Sequence, residues 1–544
     1  MRAVRGDREP AGDLLLVGGG ARSPHDGWRL HEALLIRDGR VAVLGPAVEA
    51  RASARAGARV VDLGGGCALP GFADAHLHLL GHALSLAALA LAGVPALAAL
   101  RERVAEEAAR RRPGAWIVGR GWDQERWPDG RLPSRADLDA AAPAHPVWLM
   151  RVCGHVGVAS SLALRLAGVG RGTVDPPGGA IDREPGGAPT GVLREAAVEL
   201  VAGAVPRPDV AERARLLSAA LGSCLAHGIT QVQTDDAASA GGVDEALALY
   251  ASVAGPSGVP VRVTLMIPAA AFPAARERGV GTGWGDRWLR AGHVKVFADG
   301  SLGARTALLR EPYADDPATC GIAIHAPEEL RRIVRDVHLA GSQLGIHAIG
   351  DGASHLALDA IAAAQRELRR ADHRHRLIHC QVTGPDTLRA YREAGVVADV
   401  QPAFVGSDWP WVERRLGPVR AAASYAWGTL MRLGVPLCGG SDCPIEPLDP
   451  MGGIACAVTR QDADGRPPGG FLPGERLSVA QALALVTSGA AHATFEEGFR
   501  GALAPGLAGD VTVLDRDPFA VAPEELRALR ATAAVVDGRV CHQV

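Results

Sequence analysis

The stretch "LPGFADAHLHLL", residues 69–80, is an apolar run that ends in two histidines two positions apart, His76 and His78. If the run is a β-strand, residues i and i+2 project to one side, so both imidazoles face one point. Two neutral imidazoles aimed at one point suit a borderline divalent metal such as zinc. A plain turn can carry the same short motif, so the fold and the other ligands must come from the rest of the chain.

Working outward, short apolar runs alternate with alanine-rich amphipathic stretches such as "PDVAERARLLSAALGSCLAHG" and "APEELRRIVRDVHLAGSQLG". That alternation is the pattern of a parallel α/β fold. Candidate strands fall at 71–76, 229–234, 261–267, 293–299, 344–349, 376–381, 396–402 and 436–442. Eight such strands with intervening helices predict a closed (β/α)8 barrel over residues 71–499. The first connection is far too long for an ordinary crossover and predicts an inserted subdomain over about 85–205. β-rich pieces with Asp-Gly turns open and close the chain, which predicts one small β-sandwich domain built from residues 1–70 and 500–544.

Composition narrows the function. Of 544 residues, 48% are hydrophobic and 22% charged, and Lys plus Arg (57) nearly balances Asp plus Glu (60), for a net charge of −3. Such a balance offers no general attraction to nucleic acid or an anionic membrane. The nine cysteines are scattered without a C-x-x-C motif, which favours a reducing cytoplasm. The N-terminal run "LLLV" is too short for a signal-peptide core, and "ALSLAALALAGVPALAAL" (83–100) is broken by Gly93 and Pro95, unlike a membrane span.

At the ends of the first, fourth, fifth, sixth and eighth candidate strands stand His76 and His78, Lys295, His347, His379 and Asp442. A barrel brings those ends to one face, where active sites of this fold lie. Together with these residues, "PGFADAHLH", "HVKVFADGSLGARTA", "GIHAIGD", "LIHCQ" and "GGSDCPIEPLDPMGGI" resemble the amidohydrolase superfamily. More closely, the chain resembles its YtcJ-like branch (amidohydrolase family 3), which includes N-substituted formamide deformylases; "GWDQERW" and "LSVAQALALVTSGAA" extend the likeness. The "LAGD" segment at 507–510 departs from the usual Ala-Asp pair, far from the chemistry.

The resemblance implies a zinc-like divalent metal centre of one or two ions. His76, His78 and Asp442 would hold the more buried ion, and His347 and His379 a second. Lys295 would be carboxylated on Nζ and bridge the two. Metal-activated hydroxide would then cleave a non-peptide C–N bond in an N-substituted amide or formamide, with Asp442 moving the proton. Same-fold chemistry on cyclic amides or another substrate class (lyase or isomerase) and a catalytically silent scaffold are the alternatives.

Substrate contacts are expected from Asp299 and Ser301 in "DGSLG", from Gln401, and from His155 and Trp122 in the insertion. Glu195 reads as a solvated acid at a helix start. Tryptophans at 116, 122, 127 and 148 and at 409, 411 and 427 suggest an apolar wall. A neutral N-substituted amide or formamide with an apolar substituent is the expected substrate, and the lack of an arginine cluster at the strand mouths to clamp a phosphate argues against a phosphoester. The expected partner is that small molecule, with no nucleic acid and no membrane; a homodimer is left open.

Overall fold

The computed structural model describes residues 12–206 and 208–544. Residues 1–11 of the expected N-terminal β-domain lie outside the described residues. The barrel strands are β1 (Phe72–Leu77), β2 (Ile229–Thr234), β3 (Arg262–Pro268), β4 (Leu289–Phe297), β5 (Leu344–Ala348), β6 (Arg376–His379), β7 (Val397–Val400) and β8 (Leu437–Gly439). They form one eight-stranded sheet in sequence order, every neighbouring pair parallel. Each strand is buried on both faces, between barrel interior and helices, which is why these segments read as near-continuous apolar runs.

No β8–β1 ladder occurs among the described residues. The chain just past β8 closes the gap instead: Ser441 N–H donates to Asp74 Oδ1 (3.0 Å), Asp442 N–H to the His76 carbonyl (2.7 Å), and His78 N–H to the Cys443 carbonyl (2.8 Å). This stitching ties Asp442 to His76 on β1 and to His78 just after it.

Strands β4, β6, β7 and β8 all end two or three residues earlier than the sequence reading places them. β4 stops at Phe297, because Asp299 turns away to accept three loop N–H groups. β8 spans only Leu437–Gly439, and Asp442 lies in the following loop with φ of 57°. β6 ends on His379, itself at φ 83°. For non-glycine residues this left-handed region costs on the order of 1–3 kcal/mol and persists where surrounding bonds enforce it.

The insertion folds as a six-stranded sheet running from Leu89–Ala90 to Pro189–Glu195, with its own apolar clusters around Trp122 and Trp148. Both chain ends build a small β-sandwich. A four-stranded sheet from residues 14–62 packs on a five-stranded sheet that pairs Cys67–Pro70 with Val511–Leu514. Arg262 on β3 joins this domain to the barrel floor through Asp510 (2.7 Å) and Asp537 (2.5 Å).

Candidate active site at the barrel mouth

His76 lies on β1 and His78 just past its end, at the start of the following helix, and both rings reach Asp442. His76 Nε2 lies 3.1 Å from Lys295 Nζ and 3.5 Å from Asp442 Oδ1, and His78 Nε2 lies 3.2 Å from the same oxygen. His78 Nδ1 donates to the Asp235 carbonyl (3.0 Å) and His347 Nε2 to the Gly300 carbonyl (3.0 Å), so each ring keeps its other nitrogen as a lone-pair donor. His347 and His379 approach to 4.4 Å between ring centroids, and His379 stacks on Phe404.

Electrostatics prepare these groups to ligate a cation. Burial holds the His76 and His347 imidazoles well below their ordinary pKa, and His379 down to about 3. Neutral imidazole is the ligating form. Burial also lowers the Lys295 ammonium. For Asp442, burial opposes ionisation, but His78, His379 and Lys295 outweigh it and hold the carboxyl below its usual value. Asp442 Oδ1 and His379 Nδ1 are buried without a hydrogen-bond partner. One ligand atom from each of His76, His379 and Asp442 lies within 4.8 Å of the other two. A divalent ion fits this donor set and would satisfy the orphaned atoms. This trio draws on both expected ligand sets, so the sets interleave at one spot.

Above the cluster opens a cavity of about 470 Å³, lined from the insertion, the loop after β4 and the loops after β7 and β8. His155 and Ser301 line it, and Ser301 Oγ has no partner. His155 Nδ1 sits 2.6 Å from Glu195 Oε2, and Glu195 also receives Thr306 Oγ1. Burial disfavours the His155 cation, yet the Glu195 charge and hydrogen bond raise its pKa to about 9. Glu195 is therefore buried and paired, not a solvated helix-start acid, because it ends a strand of the insertion instead of starting a helix.

Three expected substrate contacts fall elsewhere. Trp122 is fully buried in the insertion core, its indole N–H on the Leu149 carbonyl at 3.1 Å. Asp299 spends its carboxylate on the N–H groups of Leu308, Ile349 and Gly350, and burial raises its pKa to about 7. Gln401 does not line the cavity and is buried beside His379, its Nε2 donating to Asp399 (3.4 Å). The tryptophan wall dissolves as well. Trp127 and Trp148 serve insertion cores, Trp427 is buried in the barrel, and Trp411 is the tryptophan lining the cavity. Arginines do reach the cavity, contrary to expectation: Arg120, Arg126 and Arg151 all line it. They lie on the insertion, whose approach to the mouth no local pattern reveals. Asp74 is a supporting residue with a legible signal, since it precedes His76 by two positions on the same strand face.

Sequence comparison decides the family: a model described as the amidohydrolase family matches residues 59–542. The chain belongs to the amidohydrolase family. It is 35% identical over 483 residues to the Bacillus subtilis (strain 168) protein YtcJ, whose name places it among amidohydrolases, covering 89% of this chain and 90% of that protein. It is 30% identical to an N-substituted formamide deformylase of Arthrobacter pascens over 97% of both chains. A crystal structure of an uncharacterized metal-dependent hydrolase from Pyrococcus furiosus superposes with TM-score 0.72 at 32% identity, covering 93% of this chain and 99% of the other. This amidohydrolase is thus a metal-dependent hydrolase by family, and among the described residues no helix is long and apolar enough to cross a membrane.

Proposed function

We propose that this amidohydrolase cleaves a non-peptide C–N bond in a small N-substituted amide, formamides included, at the barrel mouth. The observation that carries the reading is the convergence of His76, His78, His379 and Asp442 beneath a cavity of small-molecule size. Likeness to an N-substituted formamide deformylase over 97% of both chains supports the substrate class. His76, His78, His347, His379 and Asp442 would hold one or two divalent ions, zinc by donor chemistry, with Lys295 as a carbamate bridge if two bind. A bound ion supplies Lewis-acid polarisation of a carbonyl and lowers the pKa of water.

The chain's own groups complete the chemistry. Asp442, kept ionised by His78, His379 and Lys295 beside it, takes a proton from the attacking water and returns it to the leaving nitrogen. His155, with Nδ1 held by Glu195, keeps Nε2 free to donate to the developing oxyanion. Ser301 Oγ, unpartnered at the cavity wall, can orient the amide.

The test is a panel of N-benzyl and N-alkyl formamides, acetamides, cyclic amides, esters and phosphotriesters with metal-loaded protein. Formamide or simple amide turnover above the other classes is expected. Phosphotriester turnover exceeding every amide overturns the reading.

A further inference from the structure

The three cavity arginines are not equivalent. Arg151 is fixed by Asp123 (2.6 Å) and by Gln124 Oε1 (2.8 Å). Arg126 lies 3.7 Å from the same Asp123 and is largely exposed. Arg120, on the insertion strand Ile117–Trp122, is half-buried and lines the cavity, yet no carboxylate comes within 4 Å of it among the described residues. Among the described residues its one side-chain hydrogen bond is a long 3.4 Å contact from Nη2 to the Val152 carbonyl. A guanidinium drawn from water without a counter-charge is costly and keeps most of its five N–H donors unspent. The burial that depresses its pKa reports the same cost.

Other features of the corner agree. His82 lines the cavity too, and its Nδ1 is buried without a partner. Burial and the Arg120 charge both keep that imidazole from protonating, so a neutral donor stands beside a cation. Among the cavity acids Asp442 alone acts on Arg120, through its charge and without an ion pair, and that carboxylate already faces His76 and His78. Asp123 is paired with Arg151, Asp408 accepts the Tyr425 hydroxyl (2.6 Å), and the charges acting on Glu446 are Arg126, Asp442 and Arg527.

We infer that the substrate carries a carboxylate on the part of the molecule away from the scissile amide, and that Arg120 receives it. The inference rests on the amide-hydrolase reading above and replaces the neutral, apolar substituent expected from sequence. A planar fork matches a carboxylate bidentately, and the gain is large because the partner charge is already desolvated.

Two readouts separate this inference from the reading beneath it. Turnover of N-(carboxybenzyl)formamides, with the acid placed ortho, meta or para, is compared with that of their carboxamide isosteres. Binding is measured separately by calorimetry on metal-loaded protein with the matching hydrolysis-resistant methanesulfonamides. The best acid is expected to bind roughly 10- to 100-fold tighter than its carboxamide. R120Q should abolish that preference, with the acid losing far more affinity than the carboxamide, and R120E should favour an aminomethyl analogue. If R120Q loses its thermal transition, R120K decides, with a reduced preference expected. Equal affinity for acid and carboxamide at every position, no measurable binding of any acid, or a preference that survives R120Q or is undiminished in R120K overturns the inference. Failure of every formamide to turn over, with acid binding intact, removes the hydrolase reading and leaves the anion site.

Discussion

His76 and Asp442 meet across the seam between the first and last barrel strands, and their shared oxygen-to-nitrogen spacing makes a direct metal test possible. Elemental analysis should find a divalent ion in the wild-type protein. In the H76A/H78A double variant both metal and activity should fall away, with circular dichroism unchanged. Lys295, 3.1 Å from His76 Nε2, faces this centre as an amine whose charge burial disfavours. The K295A variant is expected to lose at least roughly 100-fold in kcat, partly restored by short carboxylic acids standing in for a carbamate. No rescue at any acid concentration would argue for a plain lysine. Glu195 acts one step back, through His155. Replacing it as E195Q should cost roughly 100-fold in kcat with metal content retained, since the positioned donor loses its charge partner.

At the level of elements, loops after strands carry the site, and Asp299 shows how they are held. One carboxylate fastens the loop after β4 to the N–H groups of Leu308, Ile349 and Gly350. Truncation as D299A leaves three N–H donors unpaired, two of them in buried contacts, and is expected to cost about 3 kcal/mol. Urea unfolding measures it, and a midpoint within error of wild type would contradict this account. The insertion has a comparable tie. Arg415, from the helical segment after β7, reaches Glu125 of the insertion (2.7 Å) and the Gly303 carbonyl (3.1 Å), so three elements meet around the cavity. Sequence patterning located each of these elements but not their meeting. Trp122 illustrates the gap: its residue type invites a binding role, while its register on the strand sends it into the insertion core.

For the molecule as a whole, the barrel floor depends on Glu496, which reaches Arg500 (2.8 Å), Arg290 (2.9 Å) and Gln231 inside the barrel (2.9 Å). Burial alone would raise its pKa, but the charges of Arg500 and Arg290 hold it at about 2, against an unperturbed 4.5. A depressed carboxyl stabilises the fold fully above its unfolded value, and the contribution is lost as pH falls through the folded one. Stability should therefore decline between about pH 4.5 and pH 2. E496Q should be destabilised at neutral pH by up to about 3 kcal/mol and lose that part of the acid dependence. Unfolding free energies measured across this range decide; an unchanged slope in E496Q would place the acid sensitivity elsewhere.

The barrel and its metal-ligand candidates were legible because their signals are local. Eight apolar runs of strand length, separated by amphipathic helices, leave few other packings, and ligands at strand ends inherit their positions from that repeat. Asp442 and His379 followed this rule even though both sit at left-handed backbone angles that no pattern announces. The insertion obeyed no such repeat. Whether Glu195 faces solvent or His155, whether Trp122 fills a core or a pocket, and that Arg120 stands unpaired at the cavity depend on contacts between segments far apart in sequence. Side-chain chemistry is written in the chain, but the partner that gives a buried charge its meaning is supplied only when the tertiary structure brings the two together.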